Sequence, residues 1–335
     1  MAQGPARPGF HPGRLHRLMV DALAETRLRL DRRTVITEAA SGAYVVTPVL
    51  AALAGARVQA FTRTTRYGTF EEVAAATRVL AERARVLDRI EIVGDRAQLR
   101  IEEADVITNS GHLRPLDAAL IERLRPGAAL PLMFESWEFR AGDVDLDACR
   151  RRGVLVAGTN ERHPAVDVFS FLGAMALKLL FDAGIAAHRS RIVLLCDNPF
   201  APYIARTLEQ VAGQLAVLPK PDVVPFSPDA ILVAMKPSTA LTPMSALTHR
   251  IADAYPSAAI VQYWGDLDRR VLAARGAPVW PPEPPSPGHM AVLPSDIGPE
   301  AIVRLQNGGL KVAEVLLKPA RERGADDLAF VQLLE

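Results

Sequence analysis

From Thr34 onward, short apolar runs alternate with longer helical patterns, and this alternation limits the possible folds more than any other feature. Thr34–Thr37, Arg57–Thr62, Arg89–Val93, Ala104–Thr108, Ala128–Phe134 and Val154–Ala157 read as strands. Ala43–Ala54, Phe70–Val86, Leu116–Leu124 and Leu146–Arg152 read as the helices between them. Such βαβα order argues a parallel sheet covered on both faces. A long apolar helix is expected over Pro164–Ala183, after which the alternation restarts. Arg191–Cys196, Leu215–Leu218, Ala230–Met235, Ala258–Tyr263 and Pro278–Trp280 are the next strands, with helices at Ala201–Ala212, Ser245–Ala254 and Leu267–Arg275. The Pro-Pro-Glu-Pro-Pro within Trp280–Pro287 excludes regular structure. Glu300–Leu317 closes the chain as a helix interrupted at Gly308-Gly309. The 335 residues exceed the roughly 250–300 at which one core stops growing, so two domains are expected.

Several function classes are excluded early. A formal charge of +1 leaves no basic footprint for nucleic acid, and 6% aromatics leave few stacking platforms. The most apolar stretch, Val166–Ala187, carries Lys178 and Asp182 and reads as a buried helix, not a membrane span. Cys149 and Cys196 form no metal pair or disulfide framework, and the first thirty residues lack a continuous apolar core. A reduced, cytoplasmic setting is therefore expected. Residues 1–11 are Pro/Gly-rich and read as unstructured; Pro12 can open a helix through Leu30.

In an open parallel sheet, ligands bind beyond the carboxyl ends of the strands. Here those ends carry Arg63, Asn109, Glu135, Trp137, Glu138, Asn160, Arg162, His163, Asp197 and Asn198. Ser, Asn and Asp are expected at strand-to-helix turns as caps. Glu135, Glu138, Arg162 and His163 cap poorly and point instead to a cleft with a ligand. Glu135, Glu138 and His163 are candidate acid–base groups, while Arg162, Asn160, Asn109 and Arg63 are candidate substrate contacts. No two of Glu135, Glu138 and His163 share a metal-ligand spacing on one element, so ion pairs with Arg140 or Arg162 are the expectation and no metal is assigned. Ser41 reads as an N-cap serine, since the first glycine of a nucleophile elbow is missing.

The run from Asp143-Val144-Asp145-Leu146 through Arg152-Gly153-Val154-Leu155-Val156 resembles the D-2-hydroxyacid dehydrogenase superfamily. That family has Asp-x-Val-Asp-Leu, a helix and Arg-Gly-Ile-x-Val at the end of its first domain. The loop near Thr159-Asn160, the crossing helix and the closing Leu293-Pro294-Ser295-Asp296-Ile297-Gly298 extend the likeness over most of 90–318. The resemblance implies an α/β fold of two Rossmann-like or flavodoxin-like domains with parallel sheets, the second inserted in the first. The scheme is an N-terminal extension at 1–33, a substrate domain at 34–163 plus 300–335, and a reduced nucleotide-type domain at 164–299. It also implies a homodimer and NAD(P)-linked redox.

The signatures of that chemistry are altered. The three glycine positions of the dinucleotide fingerprint fall on Cys196, Asn198 and Ala201, and a side chain at the second collides with the phosphates. Pro199 and Pro202 remove N–H groups from the helix start, leaving Asp197 and Asn198 as weak cofactor contacts. No acidic residue follows Leu218 to hold a ribose. Trp264 stands where the resemblance places a substrate-binding Arg, and Ser295 where it places the catalytic His. The cofactor is therefore left open, with NAD(P) disfavoured. The expected function is a small-molecule enzyme acting on an anionic or zwitterionic metabolite in the inter-domain cleft. The alternative is a catalytically silent relative that binds a metabolite or a partner protein.

Overall fold

A computed structural model describes residues 7–238 and 240–334; the first six residues of the Pro/Gly-rich start lie outside the described residues. The strands are β1 Thr34–Glu38, β2 Arg57–Phe61, β3 Ile90–Val93, β4 Val106–Ile107, β5 Ala129–Pro131 and β6 Leu155–Thr159, then β7 Arg191–Leu195, β8 Gln214–Leu218, β9 Ala230–Ala234, β10 Ala259–Trp264, β11 Val279–Trp280 and β12 Val331–Gln332. The helices are α1 Pro12–Thr26, α2 Val46–Leu53, α3 Phe70–Arg83, α4 Ala118–Arg123, α5 Leu146–Arg152 and α6 Leu172–Asp182, then α7 Ala201–Leu208, α8 Ser245–Ala254, α9 Arg269–Ala274, α10 Pro294–Ile297, α11 Glu300–Leu317 and α12 Ala325–Leu328. Two compact units result: Met1–Val168 with Gly298–Glu335, and Phe169–Ile297.

The first unit is built on a seven-stranded sheet in the order β12-β6-β5-β4-β1-β2-β3. All pairings are parallel except β12 against β6. Successive strand residues point to opposite faces, and each face has its own core. Val35, Val58, Val106 and Ala129 join α1, α2, α3 and α11 on one side. Ile36, Ile107 and Leu130 join Ile121 and Ala148 of α4 and α5 on the other. Burial on both faces explains why these strands read as nearly continuous apolar runs.

The second unit is a five-stranded parallel sheet, β11-β10-β9-β7-β8. Ile192, Leu194 and Leu232 pack with α6 and α7, while Val193, Leu195 and Ile231 pack with α8 and α9. No helix joins β8 to β9; the proline-rich 219–229 makes that connection.

Several sequence expectations need correction. The helix foreseen from Pro164 begins only at Leu172, after a 3-10 turn at Phe169–Phe171. Residues 164–168 instead form a tight turn. The N–H groups of Val166 and Asp167 both donate to His163 O, at 2.8 and 2.7 Å, and Asp167 sits at φ 46°. The first helix stops at Thr26, where Arg27 takes a left-handed cap, and not at Leu30. Ser41 makes no capping bond with its side chain. The last helix is not interrupted: α11 runs through Gly308 and Gly309. Both glycines serve close packing. A Cβ at 308 would lie 2.9 Å from both methyls of Val166, and one at 309 would lie 2.4 Å from Met133 Sδ. Among the described residues, no helix is long and apolar enough to cross a membrane.

Candidate functional site

β5 and β6 are adjacent parallel strands, so the residues that follow them share one rim. Glu135 follows β5 and is 1% exposed. Its carboxylate accepts from Arg162 Nε at 3.1 Å, from Gln332 Nε2 at 3.0 Å and from Trp137 Nε1 at 2.7 Å. Asn160 donates its N–H to Phe330 O and its Nδ2 to Ala329 O, at 3.0 and 2.8 Å, and its Oδ1 accepts from Arg162 N. The His163 ring stacks on Phe330, with centroids 3.7 Å apart, and its Nδ1 accepts from Ala165 N. Burial lowers the His163 pKa below its ordinary value, against the pull of Asp326. One nitrogen of the imidazole is already engaged.

The structure thus brings Glu135, Asn160, Arg162 and His163 together, and it sets the chain's own Ala329–Gln332 against them. Gln332 completes the arrangement by accepting from the Ser136 N–H at 2.8 Å. Two further carboxyl groups crowd the same rim. Burial pushes Glu138 up to about 7; the Glu135 N–H and Arg140 oppose the shift and the Glu135 charge adds to it. Glu161 is held well above the usual carboxylate range by burial, then by Glu138 and Glu135. Sequence reading did not single out Glu161. Its signal was adjacency to Arg162 in a loop whose partners come from the last ten residues. Among the described residues, no group of three or more His, Cys, Asp and Glu has the arrangement of a metal site.

A second polar cluster lies where strand order reverses, between β1 and β4. Ile36 and Ile107 are the last pair of β1 and β4 in register, and Glu38 and Asn109 each follow two residues later. The hydroxyls of Thr37 and Thr108 meet at 2.8 Å and Thr108 also meets Ser110 at 2.9 Å. Glu38 accepts from the His112 N–H at 2.8 Å, and burial raises its pKa, with His112 and Arg114 opposing. Asn109 is 1% exposed, yet neither end of its carboxamide has a partner among the described residues. The buried Thr62 Oγ1 after β2 is likewise without one. Leaving such a group unpaired costs about 1–3 kcal/mol, so each requires a reason. Arg63, the next residue, is exposed with no side-chain partner among the described residues.

In the second unit the order reverses between β7 and β9, where a dinucleotide pyrophosphate would lie. The chain's own groups fill this turn. Asn198 Nδ2 donates to Ala234 O at 2.6 Å, and its Oδ1 accepts from Phe200 N at 3.1 Å. Asp197 Oδ1 accepts from Lys236 N at 2.8 Å. The backbone N–H that would meet a phosphate is already used, so these residues do not fit a dinucleotide. Trp264 is 6% exposed, stacked on Phe200 at 5.2 Å, and its indole N–H donates to Gly288 O. It belongs to the core of its unit, and Ser295 lies half-buried in α10.

No protein-family model matches the sequence, and no curated protein matches it significantly. Solved structures do match. A dipicolinate synthase polypeptide from Bacillus halodurans aligns at TM-score 0.55 with 10% identity, covering 87% of this chain and all of that one. A putative D-3-phosphoglycerate dehydrogenase from Ralstonia solanacearum follows at TM-score 0.49 and 12% identity, covering 89% of this chain and 97% of its own. At such identity the likeness speaks of fold only. That fold is the D-2-hydroxyacid dehydrogenase-like one, with two Rossmann-like units.

Proposed function

We propose that this protein is a small-molecule enzyme acting at the carboxyl rim of its first unit's sheet, without the nicotinamide chemistry usual on such scaffolds. The metabolite is small and anionic or zwitterionic, of hydroxy-, oxo- or amino-acid type. One observation carries the reading: Glu38, Glu135 and Glu161 are all buried on this one rim, with Glu138 beside them, and burial raises the pKa of Glu38, Glu138 and Glu161. Glu138 accepts from the Glu135 N–H at 3.3 Å, as a capping group does, but capping accounts for neither Glu38 nor Glu161. Carboxyl groups held this way suit proton exchange near neutrality, and perturbed groups gather at functional sites. Glu138, with its carboxyl near 7, is the group best poised for that exchange. Arg63 is the candidate for the substrate carboxylate, because Arg162 is engaged with Glu135.

The reading also keeps the protein a homodimer in a cytoplasmic setting. The test is a thermal-shift panel of small hydroxy, oxo and amino acids, followed by mass-spectrometric assay of any that bind. At least one should raise the melting temperature by several degrees and be converted. Failure of every compound to bind would end the reading, and binding without conversion would leave a metabolite-binding protein.

A further inference from the structure

At the amino ends of β1, β2 and β3, the opposite end of these strands from the rim described above, lies a cavity of about 730 Å³. That falls within the roughly 300–1,000 Å³ of small-molecule sites. A crossover between parallel strands ordinarily lays a helix over the sheet, but β3 reaches β4 through two 3-10 turns, Arg96–Gln98 and Ile101–Glu103. Leu99 and Ile101 of that crossover pack with Ile36, Phe61 and Val93, while the starts of the three strands line the cavity. Four arginines and four carboxylates line it too, and they are not equivalent. Arg100 takes up two of the carboxylates, Glu91 at 2.6 Å and Glu103 at 3.4 Å. Glu91 also accepts from Gln59 Nε2 at 3.0 Å, and Gln59 Oε1 accepts from the Arg100 N–H at 2.8 Å, so this wall is satisfied. Asp31 lies 4.0 Å from Arg29. Arg32, Arg57 and Arg89 are exposed, with no side-chain partner among the described residues. Arg57 opens β2 and Arg89 immediately precedes β3, next to the paired Val58 and Ile90. Three uncommitted guanidinium groups thus share the cavity with one uncommitted carboxylate, Asp88.

We propose that this cavity binds a small phosphomonoester that carries hydroxyl groups, its phosphate held by Arg32, Arg57 and Arg89 and a hydroxyl by Asp88. The site is separate from the metabolite rim and does not depend on it. A guanidinium is a planar fork whose N–H groups pair two at a time with phosphate oxygens. A carboxylate has two oxygens and one charge and serves a single fork. A phosphate dianion has three terminal oxygens and two charges, and so can engage more than one arginine while offsetting their mutual repulsion. Asp88 supplies the selectivity. An ionised carboxylate accepts and does not donate, so it repels a bare anion and favours a molecule that brings a hydroxyl beside its phosphate. Together with Glu91 and Glu103 it also opposes the continuous run of phosphates in a nucleic-acid chain.

Calorimetric titration of the full chain with glycerol-3-phosphate and glucose-6-phosphate tests this, in buffer free of phosphate and sulfate. Glucose, inorganic phosphate and a short single-stranded DNA are the comparisons. At least one of the two phosphomonoesters should bind with a Kd below about 1 mM, and glucose should not bind. Arg57→Gln and Arg89→Gln should each weaken that binding roughly tenfold. Arg57→Lys keeps the charge but loses the fork and should fall between. Because these arginines have no partners to lose, the variants should melt within a few degrees of wild type. Asp88→Asn should weaken the phosphomonoester and strengthen inorganic phosphate, a pair of opposite changes that a merely structural role would not produce. Arg63→Ala, at the other end of β2, should leave the binding intact, which separates this cavity from the metabolite rim. The proposal is overturned if neither phosphomonoester binds, or if binding survives both glutamine variants or is lost in Arg63→Ala. It is equally overturned if inorganic phosphate or the DNA binds the wild type as tightly as the phosphomonoesters do.

Discussion

Replacing Glu138 with Gln should stabilise the protein above neutrality, because the wild-type carboxyl is forced to hold its proton in the fold. Its pKa rises from 4.5 to about 7. The folded chain therefore binds more protons than the unfolded chain between those values, and stability falls as pH rises through that window. Below about 4.5 both states are protonated and nothing is lost; above about 7 the full penalty applies. A difference of this size corresponds to about 3 kcal/mol, of which Gln, lacking the charge, should recover about 1–2. Glu161 acts in the same sense and carries the decline to higher pH. Asp229 and Asp268 have the opposite sign. Hydrogen bonds from Arg191 and Arg270 hold them below the usual carboxylate range, so they act only in acid. His163, lowered by burial from 6.5, opposes the decline below that value, so the comparison of Glu138→Gln with wild type, in which His163 is common to both, carries the test. Guanidinium denaturation from pH 4.5 to 8, read by hydrogen exchange in β5 and β6, isolates the first unit. The wild type should lose stability across that range, and Glu138→Gln should flatten the slope. A wild type that gained stability from pH 4.5 to 7, or a variant weaker than wild type at pH 8, would refute the argument.

Gly308→Ala should destabilise by about 1–2 kcal/mol, since its Cβ meets the stiff Val166 and the propensity gain of about 1 kcal/mol cannot offset that overlap. Gly309→Ala meets the flexible end of Met133 and should fall close to neutral; equal losses in urea denaturation would contradict this. Phe330→Ala removes the ring stacked on His163 and should cost about 2–4 kcal/mol, with early proteolysis of the last ten residues. Calorimetric titration with NAD⁺, NADH and their phosphorylated forms should show no micromolar binding; a micromolar Kd for any of them would restore the dehydrogenase reading. Light scattering at micromolar concentration should give a dimer, and a 36.3 kDa particle throughout would remove that proposal.

Strands buried on both faces were legible because their apolar runs need no partner to be recognised. β1, β7 and β9 fall within a residue of expectation at each end, and α5 and α8 match it. What escaped depends on contacts distant in sequence. β12 is two residues long and exists only because β6 offers its edge. The turn at 164–168 interrupts an apolar run that reads as helix, since its cause is the pair of N–H groups closing on His163 O. Gly308-Gly309 reads as a break by propensity, whereas close approach to Val166 and Met133 gives the glycines their role.

The candidate site divides along the same line. Glu135 and the Asn160–His163 loop were legible together because one short helix joins β5 to β6, which makes neighbours of strands consecutive in sequence. The tail from Ala329 to Gln332 was not, and it turns Asn160 and His163 from open rim groups into anchors for the chain's own end. At the reversal of strand order, sequence reading picks Asn109 and not Glu38. Glu38 lies some seventy residues earlier, and only the β1–β4 pairing brings the ends of their strands to one rim. The two reversals in this molecule are then chemically opposite. In the second unit Asn198 and Asp197 satisfy their neighbours and close the turn, while in the first the Asn109 carboxamide stays empty.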